Sequence, residues 1–177
     1  MAAAQAWWVS RQSFAAVEFV AAELKDCPGF RAISSGWALD LYLGRVTRVH
    51  HDVDVIVNRA EQLALQQHLS NRGWKLVTPF EGRLEPWPPY MTLELPRHQV
   101  HALRGDEFID FLLTPIQHQV WHYWRAPNVV QHLDRAVLQS ADGIPFLAPE
   151  IVLLFKSKNT SDKKERAQDQ VDFEAVG

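Results

Sequence analysis

Two aspartates that stand one residue apart, Asp52 and Asp54, are the residues of this chain whose spacing points most clearly to chemistry. They lie in the run Arg48–Val57, whose valines and isoleucine are typical of a β-strand. Successive side chains of a strand point to opposite faces, so the two carboxylates share one face and Val53 and Val55 share the other. Two carboxylates on one side repel each other unless a cation lies between them. The pair therefore predicts a site for a divalent metal ion.

A third carboxylate, Asp110, alternates with Ile109 and Phe111 in another strand pattern over Glu107–Leu113. Magnesium takes oxygen ligands, keeps several waters and shares the rest of its coordination with substrate phosphate, so two or three aspartates are sufficient protein ligands. Asp110 would complete such a set. The alternative is that Asp110 is a surface residue of an edge strand.

Three small residues, Ser34, Ser35 and Gly36, stand between a predicted strand and a predicted helix. Such a turn offers backbone N–H groups and the positive end of a helix to an anion, and its small side chains let a phosphate approach closely. The alternative is an ordinary serine N-cap. The aspartates on the next strand favour phosphate, because a cation held there would neutralise its charge.

Two basic residues could also bind phosphate, whereas the histidines are expected to have other roles. Arg48 and Lys156 are placed to reach phosphate oxygens; the alternatives are a surface ion pair for Arg48 and solvated helix charge for Lys156. His50 and His51 point to opposite sides of a strand, so they cannot both join the aspartates on one ion, and a supporting or solvated role is expected. The remaining histidines considered are predicted to be structural or surface residues: His98, His101, His118 and His122.

The elements that must position these residues are predicted to form a mixed α/β domain with parallel and antiparallel strand pairs. Helices are predicted over 13–25, 37–43, 60–70, from 148 onward and over 167–176. Strands are predicted over 30–33, 52–57, 74–77, 91–95, 100–103 and 107–113. The pattern over 120–124 predicts a strand or an amphipathic turn, and 129–137 predicts a short helix. Residues 79–89 predict an irregular loop able to border a pocket, and 159–166 a loop or frayed helix.

Composition excludes several classes of protein. The chain has 177 residues, 47% of them hydrophobic, which is enough for one domain with a real core. A net charge of −3 without a long basic run argues against a general nucleic-acid binder. Cys27 is the only cysteine, which excludes an intramolecular disulfide and a cysteine-cluster zinc site. The start Met1–Trp8 lacks the features of a signal peptide, and no apolar run approaches a membrane span, so a cytoplasmic protein is expected.

Three segments, Ser34–Asp40, Leu43–Arg48 and His51–Asp54, together resemble the polymerase-beta-like nucleotidyltransferase superfamily. Within it the likeness is to the branch of aminoglycoside 2″-adenylyltransferases and lincosamide nucleotidyltransferases. Members carry a Gly-Gly-Trp helix start, a Gly-Arg or Gly-Lys segment and an Asp-x-Asp strand. Gly105–Asp110 resembles the strand that bears their third carboxylate. This chain departs from the pattern in having serine in place of the first glycine.

The resemblance implies an α+β nucleotidyltransferase fold, a mixed and mostly antiparallel sheet flanked by helices. Residues 1–147 would form the catalytic domain, and 148–177 a short helical segment packed on it. The implied reaction is Mg²⁺-dependent transfer of a nucleoside monophosphate from a nucleoside triphosphate, taken to be ATP, to a hydroxyl, with release of pyrophosphate. Two ions would be held by Asp52, Asp54 and Asp110, and phosphates by Ser34, Ser35, Gly36, Arg48 and Lys156. Asp110 would also take the proton of the acceptor.

The acceptor is expected to be a small hydroxylated molecule such as an aminoglycoside-like antibiotic, with Glu81, Glu85 and Glu94 either available to a cationic acceptor or solvated at the surface. Two alternatives stay open. One is a toxin-type nucleotidyltransferase that modifies RNA or protein, and the other is a catalytically silent module that binds a nucleotide or a partner. No membrane or nucleic-acid partner is expected, and a homodimer is left open.

Overall fold

The computed structural model describes residues 13–157 and 167–176, with side chains except at 167 and 168. The helices are α1 Ala15–Glu23, α2 Ser35–Leu43, α3 Gln62–Asn71, α4 Leu133–Ala136, α5 Pro149–Lys156 and α6 Ala167–Val176. The strands are β1 Arg31–Ile33, β2 Asp54–Asn58, β3 Lys75–Phe80, β4 Arg83–Pro86, β5 Gln99–Arg104, β6 Glu107–Thr114, β7 Ile116–Gln117, β8 Val120–His122, β9 Val130–His132, β10 Val137–Gln139 and β11 Pro145–Leu147.

Eight strands form one mixed sheet in the order β10-β11-β1-β2-β6-β5-β3-β4. The pairs β1–β11 and β2–β6 are parallel, and the other neighbours are antiparallel. This confirms the predicted α+β class with a mostly antiparallel sheet. A second sheet, β7-β8-β9, was not predicted.

The two central strands, β2 and β6, are covered on both faces. Ile109, Asp110 and Phe111 follow one another in β6 and are all buried, although adjacent residues of a strand face opposite ways. Asp110 retains only 6% of its exposure. The alternative that Asp110 is a surface residue of an edge strand is therefore wrong, because β6 lies between β2 and β5.

Two helix ends, the end of α2 and the start of α5, lie where the sequence predicts. Gly44 closes α2 with φ of 66°, a left-handed conformation that glycine adopts without strain. Pro149 opens α5 at a position where a backbone N–H has no helical partner. Both α5 and α6 pack against α2, so the C-terminal part of the described chain lies against the helix that follows Ser34.

Three sequence predictions are corrected. Residues 79–89 are not an irregular loop: β3 continues to Phe80 and turns through Glu81 and Gly82, both with positive φ, into β4. Pro86 is tolerated there because β4 is an edge strand. Residues 129–137 do not form one short helix, since β9, α4 and the start of β10 share them.

The segment 91–95 is not a strand either. Its backbone groups bond to side chains rather than to a neighbouring strand, since Arg59 and Gln62 both donate to the carbonyl of Leu93, and Gln62 accepts from its N–H. The predicted loop over 159–166 and the N-terminal run lie outside the described residues. Among the described helices, none has the length and apolar character needed to cross a membrane.

Candidate active site

One cavity, of about 470 Å³, brings the predicted site residues together. It opens between the start of α2, the strands β2 and β6, and the end of α5. All eight predicted residues line it: Ser34, Ser35, Gly36, Arg48, Asp52, Asp54, Asp110 and Lys156. Residues separated by more than a hundred positions in the sequence thus meet in a single concave site, which is the usual location of a small-molecule site.

The carboxylates owe their proximity to strand register. Asp54 is the register partner of Asp110 on the parallel pair β2–β6, so both side chains leave the sheet on the same face. The N–H of Asp110 donates to the carbonyl of Val53 at 3.0 Å, and the indole Nε1 of Trp37 donates to the carbonyl of Asp52 at 2.9 Å. Within the described part of the chain, however, no group of three His, Cys, Asp or Glu side chains is already arranged to hold a metal ion.

Asp110 lies in an electrostatic environment that disfavours its charge. Burial, and then the neighbouring carboxylates of Asp54 and Asp52, raise its pKa to about 8, against a hydrogen bond from Gln99 that lowers the pKa. Its Oδ1 is buried without a hydrogen-bond partner, and Nε2 of His101 lies 3.8 Å from that oxygen. A buried carboxylate oxygen without a partner, beside two further carboxylates, fits an oxygen-ligated divalent cation.

The turn before α2 allows other groups to approach its backbone closely. The N–H of Ser34 donates to the carbonyl of Asp54 at 2.8 Å, which ties the turn to β2. Ser35 has φ of 57°, a left-handed conformation that a glycine would hold without strain. At Gly36 an added Cβ would overlap Nη2 of Arg48 and would lie 2.6 Å from Cε1 of His50. No larger residue fits at Gly36 unless these side chains move.

The two predicted phosphate-binding cations, Arg48 and Lys156, already hold counterions from α6. Asp172 accepts from Nε of Arg48 at 2.8 Å and lies 2.7 Å from Nζ of Lys156, which also donates to Asp169 at 2.9 Å. Only 5% of the Lys156 side chain is exposed, so the alternative of a solvated helix charge is wrong. Burial opposes ionisation of Asp172, but the hydrogen bonds from Arg48 and Lys156 hold its pKa below the usual value.

His50 has the supporting role that the sequence suggested, through a partner that was not predicted. Its Nε2 lies 2.6 Å from a carboxylate oxygen of the buried Asp40, and its ring stacks on Trp37 with centroids 4.2 Å apart. Asp40 also accepts from both the N–H and the hydroxyl of Thr47. This cluster fixes the connection between α2 and the aspartates. The signal in the sequence was an aspartate on the buried face of an apolar helix.

The end of the cavity beyond Asp110 was missed. It includes His98, Gln99, Trp124 and Arg125. His98 was assigned to structure or surface, yet its ring lies 4.9 Å from that of Trp124 in this cavity. No periodic pattern marks these residues, because they come from a strand end and an irregular loop.

Other expected residues lie elsewhere. Glu81, Glu85 and Glu94 do not line the cavity, and Glu85 pairs with Arg97 at 2.5 Å. The aromatic residues of that segment do not line it either: Trp87 is buried in the core, and Tyr90 is 86% exposed. The segment 79–89 therefore does not border this site as predicted.

A mixed sheet with an Asp-x-Asp pair at the start of β2, a third aspartate on the adjacent parallel strand and a small-residue helix start defines the nucleotidyltransferase class of fold. The match is then more particular: residues 16–85 fit the family model of the aminoglycoside-2''-adenylyltransferases. The matched segment contains the turn before α2 and the pair Asp52 and Asp54, whereas Asp110 and Lys156 follow it.

Solved structures agree with this fold. A crystal structure of the lincosamide antibiotic adenylyltransferase LnuA, lincomycin-bound, is 16% identical, with a TM-score of 0.64 over 93% of this chain and 96% of that one. The crystal structure of ANT(2")-Ia in complex with adenylyl-2"-tobramycin is 16% identical, with a TM-score of 0.61 over 93% and 91%. A solution structure of the antibiotic-resistance factor ANT(2'')-Ia is 17% identical, with a TM-score of 0.60 over 92% and 83%.

At such identities the structures show the fold, and the match to the family model covers residues 16–85. A comparison of the sequence with curated proteins found no significant match. The resemblance stated from the sequence is confirmed, and so are the fold and the enzyme class, that of nucleotidyltransferases.

Proposed function

We propose that this protein transfers a nucleoside monophosphate from ATP to a hydroxyl of a small molecule and releases pyrophosphate. The observation that carries the proposal is the meeting of Asp52, Asp54 and Asp110 with the Ser34–Gly36 turn in one cavity. A reaction class that needs a phosphate cradle beside clustered carboxylates is phosphoryl or nucleotidyl transfer. The cytoplasm, expected from the sequence, is where such a reaction would find ATP.

Residues at one end of the cavity would bind the phosphates of the nucleotide. The turn before α2 presents backbone N–H groups and the positive helix end to the β- and γ-phosphates. Gly36 has no side chain, so Nη2 of Arg48 lies where a Cβ would stand and that cation is held against the turn. Lys156 lines the same cavity from α5 and adds a second cation.

The carboxylates supply the cation site. Asp52, Asp54 and Asp110 would hold Mg²⁺, as the unpartnered Oδ1 of Asp110 suggests. When bound, the metal neutralises charge that develops on the transferring phosphate and on the leaving pyrophosphate. Two ions are expected from the family resemblance.

Asp110 also has a proton-transfer role in this proposal. The acceptor oxygen forms a bond to the α-phosphorus while the bond from that phosphorus to the leaving oxygen breaks, and the acceptor proton moves to the carboxylate of Asp110. Gln99 fixes the carboxylate through one oxygen, Oδ2. The two oxygens of Asp110 thus differ, because Oδ2 is oriented by the amide of Gln99 and Oδ1 has no hydrogen-bond partner in the structure.

A pyrophosphate-release assay tests the proposal. Purified protein, Mg²⁺ and each nucleoside triphosphate are combined with a panel of aminoglycosides, lincosamides, other hydroxyl compounds and RNA. We expect acceptor-dependent release that disappears in Asp52→Asn and Asp54→Asn. The matched control is Asp142→Asn, at an exposed position outside this cavity, which should retain activity. Turnover that survives both active-site variants would exclude the carboxylate mechanism. Nucleotide binding without turnover on any acceptor would favour the silent binding module.

A further inference from the structure

We propose that the acceptor is an uncharged or anionic hydroxyl compound with an aromatic or apolar face, and that polycationic aminosugars are poor acceptors. This rests on the proposed nucleotidyl transfer and concerns the acceptor end of the same site. The proposal is carried by the charges and rings that line the cavity beyond Asp110.

The acceptor end follows from the order of the strands. The phosphate turn joins β1 to α2, Asp54 lies on β2, Asp110 on β6 and Gln99 on β5, and these strands are neighbours in that order. In-line transfer requires the leaving oxygen and the acceptor oxygen on opposite sides of the α-phosphorus. With pyrophosphate at the turn, the acceptor must approach from the side of β6 and β5.

That side of the cavity is aromatic and cationic. His98 packs against Trp124 with ring centroids 4.9 Å apart. The guanidinium carbon of Arg125 lies 5.1 Å from the centroid of Trp124 and 5.8 Å from that of Phe155. All four residues line the cavity, together with the apolar Leu112. An aromatic or apolar ligand face can stack on such rings, and a guanidinium can pair with a carboxylate or phosphate group.

What this end lacks, among the described residues, is a carboxylate for an ammonium group. Among the described residues, the acidic ones that line the cavity are Asp52, Asp54 and Asp110, and the proposed function assigns all three to the metal. Glu81, Glu85 and Glu94 lie outside it. An ammonium group that is removed from water without a carboxylate partner is strongly disfavoured, and Arg125 would repel it as well.

A matched series of aryl sugars tests this. The probes are the 4-nitrophenyl glycosides of glucose, glucuronic acid and glucosamine, which are neutral, anionic and cationic at one position, with tobramycin as the polycation. Each is titrated calorimetrically into protein saturated with Mg²⁺ and α,β-methylene-ATP. We expect the neutral and anionic probes to bind about tenfold more tightly than the cationic ones. Equal affinities, no binding by any probe, or tighter binding of tobramycin would each overturn the proposal.

Variants at Arg125 test whether this residue causes the preference among the probes. Arg125→Glu should reverse the order of the anionic and cationic probes, and Arg125→Gln should abolish the preference for the anionic probe. Arg125→Lys should keep the wild-type order. A wild-type order retained by both Arg125→Glu and Arg125→Gln would contradict the assignment. Binding of α,β-methylene-ATP, measured first, separates the two hypotheses: its absence refutes nucleotidyl transfer, whereas intact nucleotide binding with a wrong probe order refutes only the acceptor class.

Discussion

Asp172 of α6 lies 2.7 Å from the ammonium nitrogen of Lys156 on α5, and both side chains are nearly excluded from water. The same carboxylate holds Arg48 through a pair of hydrogen bonds. A single residue near the end of the described chain therefore fixes two cations that line the cavity. Its burial with those cations makes α6 part of the site's architecture.

Asp172→Asn should lower the free energy of unfolding by about 2 kcal/mol, because hydrogen bonds to charged groups are lost while Arg48 and Lys156 stay buried. Urea denaturation at neutral pH measures the change. Glu174→Gln, at an exposed position of the same helix, is the matched control and should have little effect. Equal stability of both variants would show that the ion cluster contributes nothing to folding.

The acid limb of stability should also depend on Asp172. Its pKa is lower in the folded protein than in the unfolded chain, so its contribution is present above the unfolded pKa and is lost as the pH falls through the folded pKa. Unfolding curves recorded at decreasing pH should therefore show a shallower loss of stability in Asp172→Asn than in the wild type. A wild-type acid limb in the variant would contradict this role.

Asp110 should make the stability of the metal-free protein depend on pH in the opposite direction. Its folded pKa of about 8 lies above the unfolded value, so the stabilisation is present at acid pH and is lost as the pH rises towards about 8. The slope from this one group is at most about 1.4 kcal/mol per pH unit. Urea denaturation in EDTA between about pH 5 and about pH 8 measures it.

Two controls accompany that titration. Asp110→Asn should remove the slope, because the amide does not titrate. Mg²⁺ added near the upper end of the pH range should restore stability to the wild type but not to the variant, since a cation offsets the charge of the ionised carboxylate. A wild-type slope that survives Asp110→Asn would assign the titration to another group.

Gly36→Ala should abolish nucleotide binding, because the new methyl group would overlap the Arg48 guanidinium and press on His50. Binding of α,β-methylene-ATP by calorimetry reports the loss. Gly73→Ala is the control: its Cβ would meet nothing within 4 Å, so it costs only the strain of its φ of +79°. Its nucleotide affinity should therefore be that of the wild type. Normal binding by Gly36→Ala would mean that Arg48 moves aside easily.

Ser35→Gly should stabilise the protein by about 1 kcal/mol, because serine pays a steric cost at φ of 57° that glycine does not. Ser34→Gly is the matched control, since Ser34 has an extended backbone with φ of −130° and nothing to relieve. Thermal unfolding of both variants distinguishes the two positions. A gain at Ser34 with none at Ser35 would contradict the account of strain at the turn.

Local sequence patterns explain which parts of the fold and the site could be predicted. The alternation around Asp54 and Asp110 placed both on strands, and the resemblance joined them to the turn at Gly36. Parallel pairing of β2 with β6 then produced the expected neighbours. The strand prediction for 91–95 was wrong because the backbone of this segment bonds to the side chains of Arg59 and Gln62. The residue types of the segment favour an extended chain but do not indicate these partners.

The contacts that remained hidden join residues far apart in the chain. Arg48 and Asp172 are separated by 124 positions, and no sequence pattern links the two residues. Trp124 and Arg125 come from an irregular connection whose path is set by packing on Phe155 and His98. Periodicity describes one element at a time, so it does not predict which elements meet.

The register of β2 on β6 has a consequence for insertions and deletions. Because Asp54 faces Asp110 as a register partner, a slip of one residue between these strands would turn Asp110 to the other face of the sheet. There its carboxylate would enter the packed core in the place of Ile109 or Phe111, both fully buried. The length of the β5–β6 turn at Gly105 is thus as much a requirement of the site as any side chain in it.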